Sequence, residues 1–249
     1  MEYKNRTYRE HFREGRWTSF VVKCKESDLW IGIDKTSYRP EMPEYSNTLI
    51  TELRDTMEKY LQKDPCYLTS LVPYDAKPDA PAIFTQMSEI SHRTNIGPMS
   101  AVAGAIALYI ANALKRHFGV KEVIIENGGD IYADILEDID VSVFAGASPL
   151  SEKVGLHINA SQAPLGICTS SGTVGPSLSF GKADAVMIIC KDVLLADSYA
   201  TAFANFVRKA EDINPVLEKI GKIEDIISAV LIKDDKMGAV GKFELKFFN

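Results

Sequence analysis

The stretch Asp197-Ser198-Tyr199-Ala200-Thr201-Ala202 sets a carboxylate and a hydroxyl one helical turn apart, directly after an apolar strand. Helical residues at i and i+4 have Cβ atoms ~5–6 Å apart, so Asp197 and Thr201 can offer oxygens to one hard cation at the roughly 2.0–2.1 Å that Mg2+ requires. Asn205 and Lys209 continue this polar stripe. Ala200, Ala202, Phe203, Ala204, Phe206 and Val207 supply apolar surface for burying the rest of the helix. A plainer reading stands beside this one: an Asp near a helix start accepts backbone N–H bonds and complements the helix dipole.

Four further clusters carry chemistry of their own. Asn127-Gly128-Gly129-Asp130 joins two strand-like runs, and its glycines suit a tight hairpin turn. The turn leaves unexplained why Glu126 and Asp130 flank it, because clustered carboxylates repel unless a cation, a base or solvent is near. Thr169-Ser170-Ser171-Gly172-Thr173-Val174-Gly175 offers four hydroxyls and glycine-exposed N–H groups, suited to phosphate or ribose oxygens or, equally, to an ordinary solvated loop. Gly97-Pro98 opens an apolar helix whose N–H groups could attract a phosphate, or it is a simple Gly-Pro helix start. Gly181-Lys182-Ala183-Asp184 reads as a surface ion pair ahead of a strand.

The elements that must position these groups follow from periodicity. Trp17 to Lys23 and Leu29 to Asp34 form an opening hairpin, Arg39 to Pro43 a loop, and Asn47 to Gln62 an amphipathic helix ended by Asp64-Pro65. Pro81 starts a helix running to about His92, and the small-residue run Met99 to Leu108 is apolar on nearly all sides, as in a central buried helix. Strands are predicted at Glu122 to Glu126, Asp130 to Leu136, Val141 to Gly146, Lys153 to Asn159, Leu165 to Thr169 and Ala185 to Cys190. A helix over Val193 to Lys209, a short helix near Pro215 to Ile220 and closing strands Ile223 to Ile232 and Gly238 to Phe247 complete the chain. Helices grouped between sets of antiparallel strands indicate an α+β fold, here a single domain over residues 1–249.

Composition narrows the function classes. The 249 residues, 46% hydrophobic and 25% charged, suit a globular chain with a sizeable core. With 34 acidic against 28 basic residues the net charge is −6, and no Lys/Arg cluster interleaved with aromatics tracks a phosphate backbone, so nucleic acid is not an expected partner. Met1 to Glu10 is charged throughout and lacks the apolar core of a signal peptide. The most apolar helix, Pro98 to Leu114, falls short of the ~20 residues that span a bilayer, so a cytoplasmic location without a membrane span is expected. Cys24, Cys66, Cys168 and Cys190 are scattered without metal-finger spacing, and Cys168 reads as an inert strand thiol rather than a nucleophile.

The order of the clusters carries a resemblance. The small-residue helix, Glu126-Asn127-Gly128-Gly129-Asp130, Thr169-Ser170-Ser171-Gly172 and Ala196-Asp197-Ser198-Tyr199-Ala200-Thr201-Ala202 resemble, in that order, motifs of the ApbE-like superfamily. Its best-known members are Mg2+-dependent FAD:protein FMN transferases, formerly described as thiamine-biosynthesis lipoproteins. The likeness spans residues 97–207, and the family's A-D-A-x-A-T-A motif, to which Ala196–Ala202 is close with Ser198 at the third position, is its most specific part. It implies an antiparallel α+β fold with a buried central helix, related to the T-fold. It also implies Mg2+ held by Asp197, Thr201 and a backbone carbonyl near Val102, and a flavin-nucleotide pocket, for FAD or FMN, lined by Gly128, Gly129, Asp130, Thr169, Ser170, Ser171 and Gly172.

Three departures accompany it. The transferases carry a lysine where this chain has Ala103-Gly104, and a His-x-x-Asp-Pro segment where it has Gly175-Pro176-Ser177-Leu178-Ser179. They also carry a signal peptide and lipobox. His92, His117 and His157 sit in no matching motif, so the general base is unassigned. The leading expectation is a protein of a shorter branch that binds a flavin or related nucleotide with Mg2+ and transfers or hydrolyses at its pyrophosphate. A non-catalytic small-molecule binder using the same pocket is the rival, and a structural homo-oligomer the third reading.

Overall fold

Strands that are apolar at nearly every position dominate the middle of the chain, and the fold explains why. In the computed structural model, which describes residues 15–173 and 180–248, eight antiparallel strands form one sheet in the order β1-β2-β3-β4-β7-β8-β9-β10. These are β1 Trp17–Cys24, β2 Ser27–Asp34, β3 Val123–Asn127, β4 Asp130–Asp134, β7 Leu165–Ser170, β8 Ala185–Cys190, β9 Ile226–Lys233 and β10 Lys236–Gly241. A second sheet, in the order β11-β6-β5, is built from β5 Ile139–Ser142, β6 Val154–Ile158 and β11 Glu244–Phe247.

Alternation sorts the side chains into two cores. Leu29, Ile31 and Ile33 of β2, Val123 and Ile125 of β3, and Val186, Ile188 and Cys190 of β8 pack against the helices. Their neighbours Trp30, Ile124, Ala185, Met187 and Ile189 pack on the other face, with Val141, Leu156 and Ile158 of the small sheet. Because both faces are covered, the strands lose the polar half of the usual antiparallel pattern and read as continuous hydrophobic runs.

The helical layer consists of α1 Met42–Lys63, α2 Pro65–Thr69, α3 Ala82–Thr94, α4 Val102–Phe118, α5 Val193–Ala204 and α6 Ile213–Ile220. A 3-10 turn at Pro98–Ala101 leads into α4. Together they make a helix of 21 residues, longer than the run to Leu114 read from the sequence, and by length and composition alone it could cross a membrane. More than half of it is buried here, packed on α5, β3 and β4. The helix is therefore the central buried one that its all-round apolarity predicts.

Several expected boundaries move. α1 begins at Met42 rather than Asn47, because Pro43 stands in the first turn where its missing N–H is not needed. α5 ends at Ala204, not Lys209: the Phe206 and Val207 amides fold back onto the Phe203 and Ala204 carbonyls. The expected strand Gly238 to Phe247 is two strands in different sheets, broken at Gly241, whose φ of 126° only glycine adopts readily.

Candidate functional site

The first turn of α5 is capped by Asp192, whose carboxylate accepts from the Leu194 amide at 2.8 Å. Asp197 is thus released from capping its own helix and serves another. Its Oδ2 accepts from the Gly104 amide in the first turn of α4 at 2.8 Å, where an intrahelical partner is lacking. The approach depends on Gly104: a Cβ there would stand 2.8 Å from the Val193 carbonyl oxygen and 3.3 Å from the Asp197 Cβ. The small-residue run in α4 is what lets the two helices meet this closely.

Every residue of α5 except Thr201 is buried, so the helix opens to its surroundings at that one hydroxyl. Thr201 Oγ1 lies 3.5 Å from Ser170 Oγ, at the end of β7. Asp130 opens β4 directly opposite Cys168 of β7, and the Thr169 amide donates to the Gly129 carbonyl at 3.2 Å. Gly128 and Gly129 have φ of 75° and 108°, the left-handed pair that a two-residue hairpin turn demands. The Gly129 amide donates to Glu126 Oε1 at 2.7 Å, and Asn127 Nδ2 donates to the Ala103 carbonyl at 3.2 Å beside the partly exposed Val102. Segments up to a hundred residues apart in sequence thereby share one end of the sheet and the start of α4.

Electrostatics single out two acids. Burial pushes the Asp197 carboxyl up to about 7, against the lowering effect of the Gly104 and Ala103 amides. Asp130 is also raised, by burial first, then by the neighbouring charges of Asp197 and Glu126. Among the described residues no Lys or Arg pairs with either. Two carboxyls held together without a cation either retain a proton or acquire a positive ion. No three His, Cys, Asp or Glu side chains converge in metal-binding geometry among the described residues. An ion here would therefore lean on hydroxyl and carbonyl oxygens, and an all-oxygen set suits a hard cation.

Other candidates resolve differently. Gly172 donates to the Ala183 carbonyl at 2.9 Å, Ser171 Oγ lies 3.3 Å from that same oxygen, and Thr173 Oγ1 donates to Asp184 at 3.0 Å. The far half of the hydroxyl loop thus turns toward residues 183–184. Asp184 pairs with Lys233 at 3.4 Å and accepts from the Asp234 amide, so the expected Lys182 pairing is replaced by one across the sheet. Gly97 and Pro98 are buried, with the Ser70 backbone packed on Gly97, which leaves no open anion site at that helix start. Lys209 precedes the 3-10 turn Ala210–Asp212 and lies off the α5 stripe, while Asn205 Oδ1 accepts from the Phe180 amide. Cys168 is fully buried and its thiol is pushed upward by burial and by Asp130 and Asp197, the opposite of an activated thiolate. Val174 and Gly175 of the hydroxyl loop, and the rest of the segment to Ser179, lie outside the described residues.

One contact was not legible in the sequence. Ser198 Oγ lies 2.7 Å from both Thr94 Oγ1 and Ser100 Oγ, tying α5 to α3 and to the 3-10 turn beside Asp197. A serine inside an otherwise apolar helix was the signal available.

Residues 9–221 match the model of a family described as AbpE bacteria. The chain belongs to this family. It is a member of the ApbE-like superfamily, and the match extends beyond residues 97–207 to include the opening hairpin and α1. A UPF0280 protein of Methanocaldococcus jannaschii is 36% identical over 231 residues, 91% of each chain. A UPF0280 protein of Methanococcus aeolicus is 41% identical over 226 residues, 89% of each chain. Among solved structures, the apo form of the flavinyl transferase ApbE of Pseudomonas stutzeri superposes with a TM-score of 0.52 at 13% identity, covering 90% of this chain and 94% of that one. The flavin transferase ApbE of Vibrio cholerae gives 0.51 at 12% identity, over 90% and 96%. At such identities the likeness is one of fold, and it matches the α+β architecture with antiparallel sheets described above.

Proposed function

We propose that this AbpE bacteria family member binds a flavin or related nucleotide together with Mg2+ and transfers or hydrolyses at the pyrophosphate. One observation carries the reading: Asp197 and Thr201, Ser170, the Gly128-Gly129-Asp130 turn and the Val102–Ala103 end of α4 are linked by hydrogen bonds and strand register, around two raised carboxyls with which no described Lys or Arg pairs. The oxygens of Asp197 and Thr201, with a backbone carbonyl near Val102, would hold the ion. When bound, Mg2+ supplies charge neutralisation for phosphate oxygens. The chain's own contribution is positioning. The Gly104 amide orients the Asp197 carboxylate, the turn glycines take the left-handed backbone beside Asp130, and Thr169 and Ser170 at the end of β7 would meet the nucleotide ahead of Ser171 and Gly172, which turn toward Ala183. The eight-stranded sheet shared by both cores supports treating the chain as a single domain, and its few scattered thiols suit a cytoplasmic setting.

A second reading is favoured by the histidines. His92 pairs with Asp75, His117 stacks on Tyr45 and His157 pairs with Asp140 on the small sheet, so none of the three lies at the site. A site with no histidine among its described residues can hold a nucleotide without turning it over. Incubation of the purified chain with FAD, with and without Mg2+, separates the two: release of AMP and FMN supports the enzyme, and stoichiometric binding without release supports the carrier. Failure of FAD to bind at high concentration removes both.

A further inference from the structure

One turn past Thr201 the surface changes character. Residues 180–182 are fastened alongside residues 204–207: the Phe180 amide donates to Asn205 Oδ1 at 2.8 Å, Gly181 packs on the Ala204 carbonyl, and the Lys182 amide donates to the Val207 carbonyl at 2.7 Å. This puts Phe180 and Phe206, 56% and 55% exposed, on adjoining segments. Lone exposed aromatics are ordinary, but two on adjoining segments call for an explanation. Phe206 rests at 6.3 Å between ring centroids from the buried Phe203 and carries the Lys219 ammonium 4.9 Å from its centroid. Lys182, Arg208, Lys209, Lys219 and Lys222 are all exposed here. The acids interspersed with them are Glu211, Asp212, Glu218 and Glu224; Asp212 already accepts from the Arg208 and Lys209 amides at 2.9 and 3.0 Å, and the next acid, Asp225, is paired with Arg93. A local excess of cations around two phenyl rings thus stands on a chain whose net charge is −6.

We propose that Phe180 and Phe206, with Lys182, Arg208, Lys209 and Lys219, form a docking surface for an acidic peptide segment of a partner protein. The rings take apolar side chains and the cations take carboxylates, the combination that steers an encounter and fixes its register. A second copy of the chain would set like charges against each other at this surface. An anionic bilayer would meet a molecule that repels it overall. The surface abuts the open end of α5, so a bound segment lies beside the candidate site. The proposal is independent of what that site holds, and failure of flavin binding leaves it intact.

The test is fluorescence anisotropy with the full chain and a labelled short peptide of alternating Glu and Phe, against the same peptide with Gln for Glu. The Glu peptide is expected to bind, about tenfold more weakly when both Phe180→Ser and Phe206→Ser are present, and again with Arg208→Glu and Lys209→Glu. Binding should weaken as added salt shortens the Debye length from ~10 Å toward ~3 Å. The charge-reversal pair keeps the result interpretable if the aromatic pair fails to fold. Equal binding of the Gln peptide, no binding of the Glu peptide, or indifference to both variant pairs overturns the proposal. So does preferential binding to phosphatidylserine vesicles, or self-association in sedimentation that Phe206→Ser abolishes.

Discussion

The Asp197 carboxylate and the Gly104 amide are 2.8 Å apart across two different helices, and this hydrogen bond ties the acid of the A-D-x-x-A-T-A motif to the small-residue helix. Its geometry requires that residue 104 have no side chain. Gly104→Ala should push α4 from α5 and cost about 1–3 kcal/mol, typical of overpacking. Urea unfolding checks the stability. Calorimetric titration with Mg2+ and FAD should show ligand binding lost with the bond, and unchanged binding would separate Gly104 from the site.

The raised carboxyl of Asp197 makes a signed statement about pH. In the folded chain it keeps its proton up to about 7, whereas unfolded it ionises in the ordinary carboxylate range near 3.8. Between those values the folded state binds more protons through this group, so its contribution to stability is fully present at the acid end and is lost as pH rises toward 7. Asp130, raised as well, adds to the same trend. Unfolding midpoints in EDTA from about pH 5 to pH 8 should decline, Asp197→Asn should flatten the decline, and Mg2+ should offset it at the upper end. A midpoint that rises with pH across this window would contradict the account.

Thr201 is the partly exposed residue of α5, and its Ser170 contact at 3.5 Å is at the limit of a hydrogen bond. Thr201→Val keeps the shape and removes the oxygen. Stability should stay within about 0.5 kcal/mol of the native chain, while Mg2+-dependent nucleotide affinity drops about tenfold. Equal affinity in calorimetry would take Thr201 out of the site.

Ser198 is fully buried with its Oγ 2.7 Å from both the Thr94 and Ser100 hydroxyls, which also lie within hydrogen-bond distance of the Ile90 and Gly97 carbonyls, so three hydroxyl protons serve four contacts. Ser198→Ala leaves the outer bonds in place and removes the bridge, which should cost about 1–2 kcal/mol in thermal unfolding. A neutral result would mean that apolar packing alone joins α5 to α3.

Motif chemistry was legible in the chain wherever it was local. The Asp197 and Thr201 pair, the Gly128-Gly129 turn and the strand limits of β8 follow from spacing and residue type. Partners chosen across the fold were not: Asp184 takes Lys233 rather than Lys182, and the Gly97-Pro98 helix start is covered by the Ser70 backbone rather than open to an anion. The helix-capping role read for Asp197 belongs to Asp192, since both acids lie in the same sequence stretch and only the chain's entry angle separates them.

By itself the sequence determined the α+β class, the buried central helix and the oxygen-bearing segments, because periodicity, turn chemistry and composition act over a few residues. Tertiary structure alone decided that β3 and β4 pair beside β7, that Gly104 admits α5, and that Asp130 and Asp197 become buried neighbours with which no described Lys or Arg pairs. The physical reason is desolvation: a carboxylate's charge and partners depend on what excludes water around it. That enclosure is built from residues far away along the chain.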